Sequence, residues 1–318
     1  MNNAIIHYNE STELNDLSVD KPYIVAIDSS LISTHSIEVP KMSFSKAKKA
    51  IPFLLEDTLL DDMVHTNQAV NYLYSIETWV KTILKKDEDI AVDHLEEDWA
   101  TIIPPIEVPN GKIYGKIVDM QARFNINHLI AINKDSTQAY LNPDYKYCLD
   151  ELNTSLEQDF MGDFILEHIN QRRPIERFKH LSQLKQVEGI QWKDYLKIKP
   201  YLIASDTIKT VNINTASPEV IACLHSDLSV SSAQDIMGQR PFNSLGEAQS
   251  AIHHALGGQT LKQVQDVFNE NLISVNSQYF LLTSNAQIAS SHIKAKTLFH
   301  RNGKLVNVVS RTYEQVLE

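Results

Sequence analysis

Hydrophobic and polar positions along the chain change period three times. Short β-branched runs, Ala4 to Ile6, Tyr23 to Ile27 and Ser36 to Val39, predict strands near the start. Pro40 ends the last, and the apolar spacing of Ala47, Ala50, Ile51, Phe53, Leu54 and Leu55 predicts a helix capped by Ser43 or Ser45. Val70, Leu73, Tyr74, Ile76, Trp79, Val80, Ile83 and Leu84 then recur at helical spacing, predicting a long amphipathic helix over 64–86. Lys112 to Val118 alternates as a strand, and residues 148–270 return to helical spacing, broken at Gly162, Gly189 and Gly257-Gly258. The last forty residues alternate again. Gln278 to Ile288, His292 to Phe299 and Lys304 to Arg311 predict an antiparallel meander, with Asn302-Gly303 at the centre of a type I′ turn.

Two stretches stand apart. Arg123-Phe124-Asn125-Ile126-Asn127 and Val211-Asn212-Ile213-Asn214 each alternate apolar residues with asparagine, and Ser217-Pro218-Glu219 follows the second as a helix start. Asparagine amides can hold a bend by bonding nearby backbone, so both are expected to be structural corners. The motif residues are Arg123, Phe124, Asn125, Asn127, Asn212, Asn214 and Pro218.

Charge narrows the function. The formal net charge is −11, against a large nucleic-acid footprint. Seven acids lie between Asp87 and Asp98 and are expected to form a solvated face, since they lack the alternation and glycine of a calcium loop. From Asn271 to Tyr313 there is no acid, so Lys294, Lys296, Arg301 and Lys304 are candidate contacts for an acidic partner, against the alternative of a solvated sheet face. Cys148 and Cys223 could form one bridge or remain two buried thiols. The histidines are scattered without metal spacing, and no catalytic constellation is present, so an enzyme is not expected. No run approaches the roughly 18 apolar residues of a bilayer span, and no signal peptide follows Met1, so neither an export signal nor a membrane helix is read from the chain.

The second corner and its helix resemble the opening of helix-hairpin-helix (SAM-like) modules in DNA-uptake proteins, and Phe178 to Ile190 resembles a later part of one. The hairpin here reads His225-Ser226-Asp227-Leu228-Ser229, without the glycines that let backbone amides approach phosphate. DNA binding is the alternative function.

A wider order of motifs is similar to the type II secretion system protein K family. It comprises Val92 to Leu95 with Asp98-Trp99-Ala100, Pro104-Pro105, Gly115 to Asn127, Phe178 to Ile190, Val211 to Ile221, Ser277 to Leu282 and Val308 to Tyr313. That resemblance spans about 64–313. It implies an α+β pseudopilin fold, an N-terminal helix on an antiparallel sheet, with a large helical insert. It implies a non-enzymatic minor pseudopilin at the pseudopilus tip, supporting export across the outer membrane. Minor pseudopilins I and J are the implied partners, with other secretion-system components besides, and no nucleic acid. The implied location is the inner membrane or its periplasmic side. No cofactor is assigned; calcium, bound by some members, stays a candidate whose ligands are not mapped onto this chain. Tyr23 to Asp62, through Val39 to Met42, Ala50 to Asp57 and Leu59 to Asp62, resembles the N-terminal part of type II secretion protein L. The expected divisions are therefore 1–63, a protein L-like α/β fragment; 64–130, the pseudopilin helix and first strands; 131–270, the helical insert; and 271–318, the closing meander.

Overall fold

The apolar stripe of the long helix and the alternation of the late strands meet in one layer pair. The structure, a computed structural model, describes residues 44–133, 138–142, 145–157, 161–172 and 174–316. The strands expected before Pro40 and the Ser43 cap lie outside the described residues, while Ser45, the other expected cap, lies inside the helix that starts at Phe44. Two units divide the chain, 1–64 and 65–318. Of the first unit, the helical backbone from Phe44 is described; the sheet and the insert belong to the second.

The long helix is α1 (Phe44–Lys86). Its buried stripe is narrower than the periodicity suggests: Ala69, Leu73, Ile76, Val80 and Leu84 are covered, whereas Tyr74 and Trp79 are exposed. These residues pack on a five-stranded antiparallel sheet of order β1-β2-β9-β10-β11. The strands are β1 (Ile103–Val108), β2 (Gly111–Asp119), β9 (Tyr279–Ile288), β10 (Ser291–Asn302) and β11 (Leu305–Gln315). The strict alternation of β9 and β10 places Phe280, Leu282, Ala286, Ile293, Ala295 and Phe299 under the helix. Glu77, buried on α1, is held by a two-pronged pair with Arg311 of β11 at 2.7 and 2.8 Å.

Strand β1 was not expected, because Pro104-Pro105 reads as punctuation. It lies at the sheet edge, where missing N–H donors are tolerated, and its register with β2 shifts between Ile103 and Ile106. The late turn also differs by one position. Asn302 pairs with Leu305, so Gly303-Lys304 form the two-residue loop, and Gly303 has φ 58°. A positive φ at Gly303 and not at Lys304 is the type II′ pattern, not the type I′ turn centred on Asn302-Gly303.

Between β2 and its hydrogen-bonded neighbour β9, residues 120–278 form the insert. It contains α2 (Lys146–Ser155), α3 (Met161–Gln171), α4 (Trp192–Ile198), α5 (Pro218–Ala222), α6 (Val230–Met237), α7 (Leu245–Leu256) and α8 (Leu261–Val267). Short strand pairs close it: β3 (Phe124–Asn125) runs parallel to β6 (Leu202–Ile203), β7 (Val211–Asn212) parallel to β8 (Ile273–Ser274), and β4 (Ile130–Ile132) antiparallel to β5 (Ala139–Leu141). Phe124, Ile126, Leu129 and Ile273 belong to the insert's own core. Packing therefore divides the chain nearer 119/120 and 278/279 than the expected 130/131 and 270/271. Cys148 and Cys223 are joined by a disulfide that ties α2 to the end of α5 within this core.

Candidate functional site

The polar groups that a folded chain ought to leave in water are concentrated where the insert meets the sheet. The second corner starts it. Val211 and Ile213 are fully buried on one side of the alternation, which turns Asn212 and Asn214 toward the other. Asn212 accepts the Asn214 N–H at 2.9 Å, fixing the bend, while its amide NH₂ donates to Ser277 Oγ (2.8 Å), the Asp93 carbonyl (3.2 Å) and Asp119 Oδ2 (3.3 Å). Asn214 brackets Phe242, accepting its N–H at 2.8 Å and donating to its carbonyl at 2.9 Å.

Asp119, at the end of β2, is the hub. Ser277 Oγ and Thr215 Oγ1 donate to its Oδ2, and the Gln121 N–H donates to its Oδ1 at 2.7 Å. Burial raises its pKa, and the donors from Ser277, Thr215, Gln121 and Asn212 pull the other way. Beside it, Arg301 donates to Asp87, to both oxygens of Asp93 and to the Ser277 carbonyl, and its guanidinium lies 4.8 Å from the Phe280 ring centre. Burial pushes the Asp93 carboxyl up to about 7, against the opposing pull of Arg301 and the Ser277 N–H.

These contacts correct two expectations. Arg301 is 2% exposed and is not a surface contact. It has the parity of Ala295 and Phe299 on β10, so alternation carries it to the core face; Lys294 and Lys296 fall on the opposite face, and Lys304 sits in the turn. The acidic run is likewise not a uniformly solvated face, because Asp93 is fully buried and Asp87 and Glu97 are largely covered.

Oxygens of Asp87, Asp93 and Glu97 approach within 4.8 Å of one another, the chemistry a calcium ion favours. The donor set does not fit one. Arg301 already supplies the cation to Asp87 and Asp93, and Glu97 accepts the His94 N–H at 2.8 Å and Trp99 Nε1 at 2.7 Å.

The first corner repeats the second in geometry. Asn125 accepts the Asn127 N–H at 3.0 Å, and Asn127 brackets Phe178, accepting its N–H at 2.8 Å and donating to its carbonyl at 2.9 Å. Arg123, just before it, has its pKa lowered by burial, against the negative charge of Asp119. Pro218 stands at the first position of α5, but the Ser217 hydroxyl makes no capping bond and is buried without a partner. Between α5 and α6 the hairpin presents Asp227 to solvent, with its N–H on His225 Nδ1. A phosphate would meet a carboxylate there.

The comparisons with known proteins fall on these same elements. A family model described as type II secretion system (T2SS), protein K matches residues 211–276, from the second corner through β8. The chain is similar to type II secretion system protein K. The Klebsiella pneumoniae protein K is 23% identical over 290 residues, 80% of this chain and 86% of that relative. The Pseudomonas aeruginosa protein K is 24% identical over 248 residues, 65% and 74% of the two chains. A chain in the solved GspK-GspI-GspJ complex from the type 2 secretion system of enterotoxigenic Escherichia coli superposes with a TM-score of 0.62. At 19% identity it covers 81% of this chain and 99% of that one, a likeness of fold. None of these protein K relatives is a protein L, so the resemblance of residues 1–63 to that family gains no support. Among the described residues no helix is long and apolar enough to cross a membrane.

Proposed function

We propose that this chain is a non-enzymatic minor pseudopilin of the type II secretion system that acts as protein K does, at the pseudopilus tip, with GspI-like and GspJ-like partners. The observation that supports it most is architectural. A helix on a five-stranded antiparallel sheet, interrupted between β2 and β9 by a helical insert, is shared across 81% of the chain with GspK from a GspK-GspI-GspJ complex. The polar cluster fits a structural role: its carboxylates are spent on Arg301, hydroxyls and backbone N–H groups, leaving no free general base.

The Cys148–Cys223 disulfide supports a periplasmic setting, since such bridges persist on the oxidising side of the inner membrane. The inner membrane or its periplasmic face is accordingly the proposed location. DNA binding draws no support from the hairpin or from the net charge of −11.

The test is twofold. The chain should co-purify with GspI- and GspJ-like proteins of the same genome, and deleting its gene should block secretion through that system until the wild-type gene is restored. Normal secretion in the deletion strain would refute the proposal.

A further inference from the structure

Apolar packing of the insert against the outer face of the sheet stops part-way along β10. Met120, Ile203 and Ile208 pack against Tyr279, Leu281 and Leu298, at one end of that face. Two residues on, with the same parity as Leu298, come Lys296 and then Lys294. Strand register sets Lys116, Thr283, Lys296 and Thr312 in one row across β2, β9, β10 and β11. Lys116 and Lys296 therefore flank Thr283 and stand about 10 Å apart at the backbone, two strand spacings.

The insert brings more cations to this corner. Lys185 Nζ lies 4.5 Å from the Trp192 ring centre and 5.1 Å from that of Tyr195, and Lys199 Nζ lies 6.0 Å from Tyr195. Burial lowers the Lys199 pKa, and the like charges of Lys296, Arg123, Lys185 and Lys294 lower it further, so Lys199 of the insert feels the sheet lysines. Among the described residues, none of Lys116, Lys185, Lys199, Lys294 and Lys296 takes part in a salt bridge. Glu314 stands opposite Lys294 as the acid on this part of the sheet.

We propose that this corner, formed by Lys116, Lys294 and Lys296 of the sheet with Lys185 and Lys199 of the insert, is a docking surface for a carboxylate-rich face of another protein. Like charges gathered on a chain of net charge −11 repel one another until an external anion relieves them. Trp192, 59% exposed beside them, supplies the aromatic anchor common at the centre of protein interfaces. A protein fits better than a nucleic acid, because a handful of carboxylates matches five lysines, whereas extended phosphate would be repelled by the acidic remainder. The assembly role proposed above supplies the setting for such a partner, and the experiment separates the two ideas.

The full chain is titrated with a labelled ten-residue polyglutamate peptide and with a DNA duplex at low salt. Wild type should bind the peptide more tightly than the duplex. The Lys294→Glu/Lys296→Glu double variant should bind it about tenfold more weakly at unchanged melting temperature, while Lys304→Glu, outside the corner, stays within about twofold. Absent peptide binding, equal losses in both variants, or tighter binding of the duplex overturns the proposal. The same proteins are then mixed with GspI- and GspJ-like partners. Loss of association in the double variant alone identifies the acidic face as theirs. Retained association with lost peptide binding assigns the corner to a different acidic protein. Failure of the wild type to associate refutes the assembly role and leaves the peptide titration to decide the surface.

Discussion

The two asparagine corners do the same local job with different consequences. In each, one asparagine closes the bend on the N–H two residues ahead, and the other clamps both backbone groups of a distant phenylalanine, Phe178 or Phe242. In each, the residue before the first asparagine pairs with a short parallel strand, Phe124 with Leu202 and Val211 with Ile273. What differs is where the spare amide hydrogens go. Asn125 donates to the carbonyls of Ser205 and Ile208, in the segment leading to the second corner, so the first corner closes the insert on itself. Asn212 donates to Asp93 and Asp119 on the sheet side, and to Ser277 where the insert returns to β9, so the second corner anchors the insert. A repeated turn becomes a joint by changing its acceptors.

The strongest way to break this comparison is at Arg301. Arg301→Met leaves Asp87 and Asp93 without their cation and is expected to destabilise the protein by about 4 kcal/mol in chemical denaturation. Amide exchange should rise around β7, β8 and the Ser277 turn before it rises at the first corner. Uniform loss of protection would mean that the two corners open as one unit.

Next is the covalent link between the halves. Cys148 and Cys223 lie 75 residues apart, so Cys148→Ala/Cys223→Ala should cost about 4 kcal/mol through the enlarged unfolded ensemble. Both corners should weaken equally, because the bridge ties α2 to α5 inside the insert rather than joining either corner to the sheet.

Single corner substitutions sharpen the contrast. Asn125→Ala and Asn212→Ala are each expected to cost about 2 kcal/mol, since both leave buried groups unpaired. Only Asn212→Ala should also loosen β9 and the Asp119 cluster, as read by hydrogen exchange. Association with partners should fall only in step with stability; its loss at unchanged melting temperature would make the corner an interface.

A pH slope tests the sheet side of the joint. Because Asp93 is pushed up to about 7, the folded state holds its proton more tightly than the unfolded chain does. The stability this contributes is full below about pH 4, the ordinary carboxylate range, and is lost as pH rises through about 7. Asp93→Asn should flatten the melting-temperature profile over that window. An unchanged profile would place the titration elsewhere in the cluster.

Much of this joint was legible residue by residue. The alternation of valine, isoleucine and phenylalanine with asparagine marked both corners, because short amides that bond local backbone leave that pattern. The inward turn of Arg301 was available in its parity with Ala295 and Phe299, but a cation in an acid-free stretch reads more naturally as surface. The burial of Asp93 was hidden for the converse reason: within seven acids, charge density predicts solvent, and Arg301 and the Ser277 N–H, brought from far along the chain, make an interior place for one. Strand β1 was masked by its prolines, and the cysteine pairing depended on α2 meeting α5, a contact no spacing encodes.

The insert leaves from β2 and returns on β9, and those strands are paired from Gly111 opposite Ile288 to Asp119 opposite Phe280. At the neck, the Gln278 N–H meets Gln121 Oε1 at 2.7 Å, so departure and return are nearly stitched together. The sheet is thus a plain meander in which one hairpin turn has swollen into a domain. Such a domain can lengthen or shrink away from its neck without re-threading a single strand, so long as Asn212, Thr215 and Ser277 stay to meet Asp93 and Asp119.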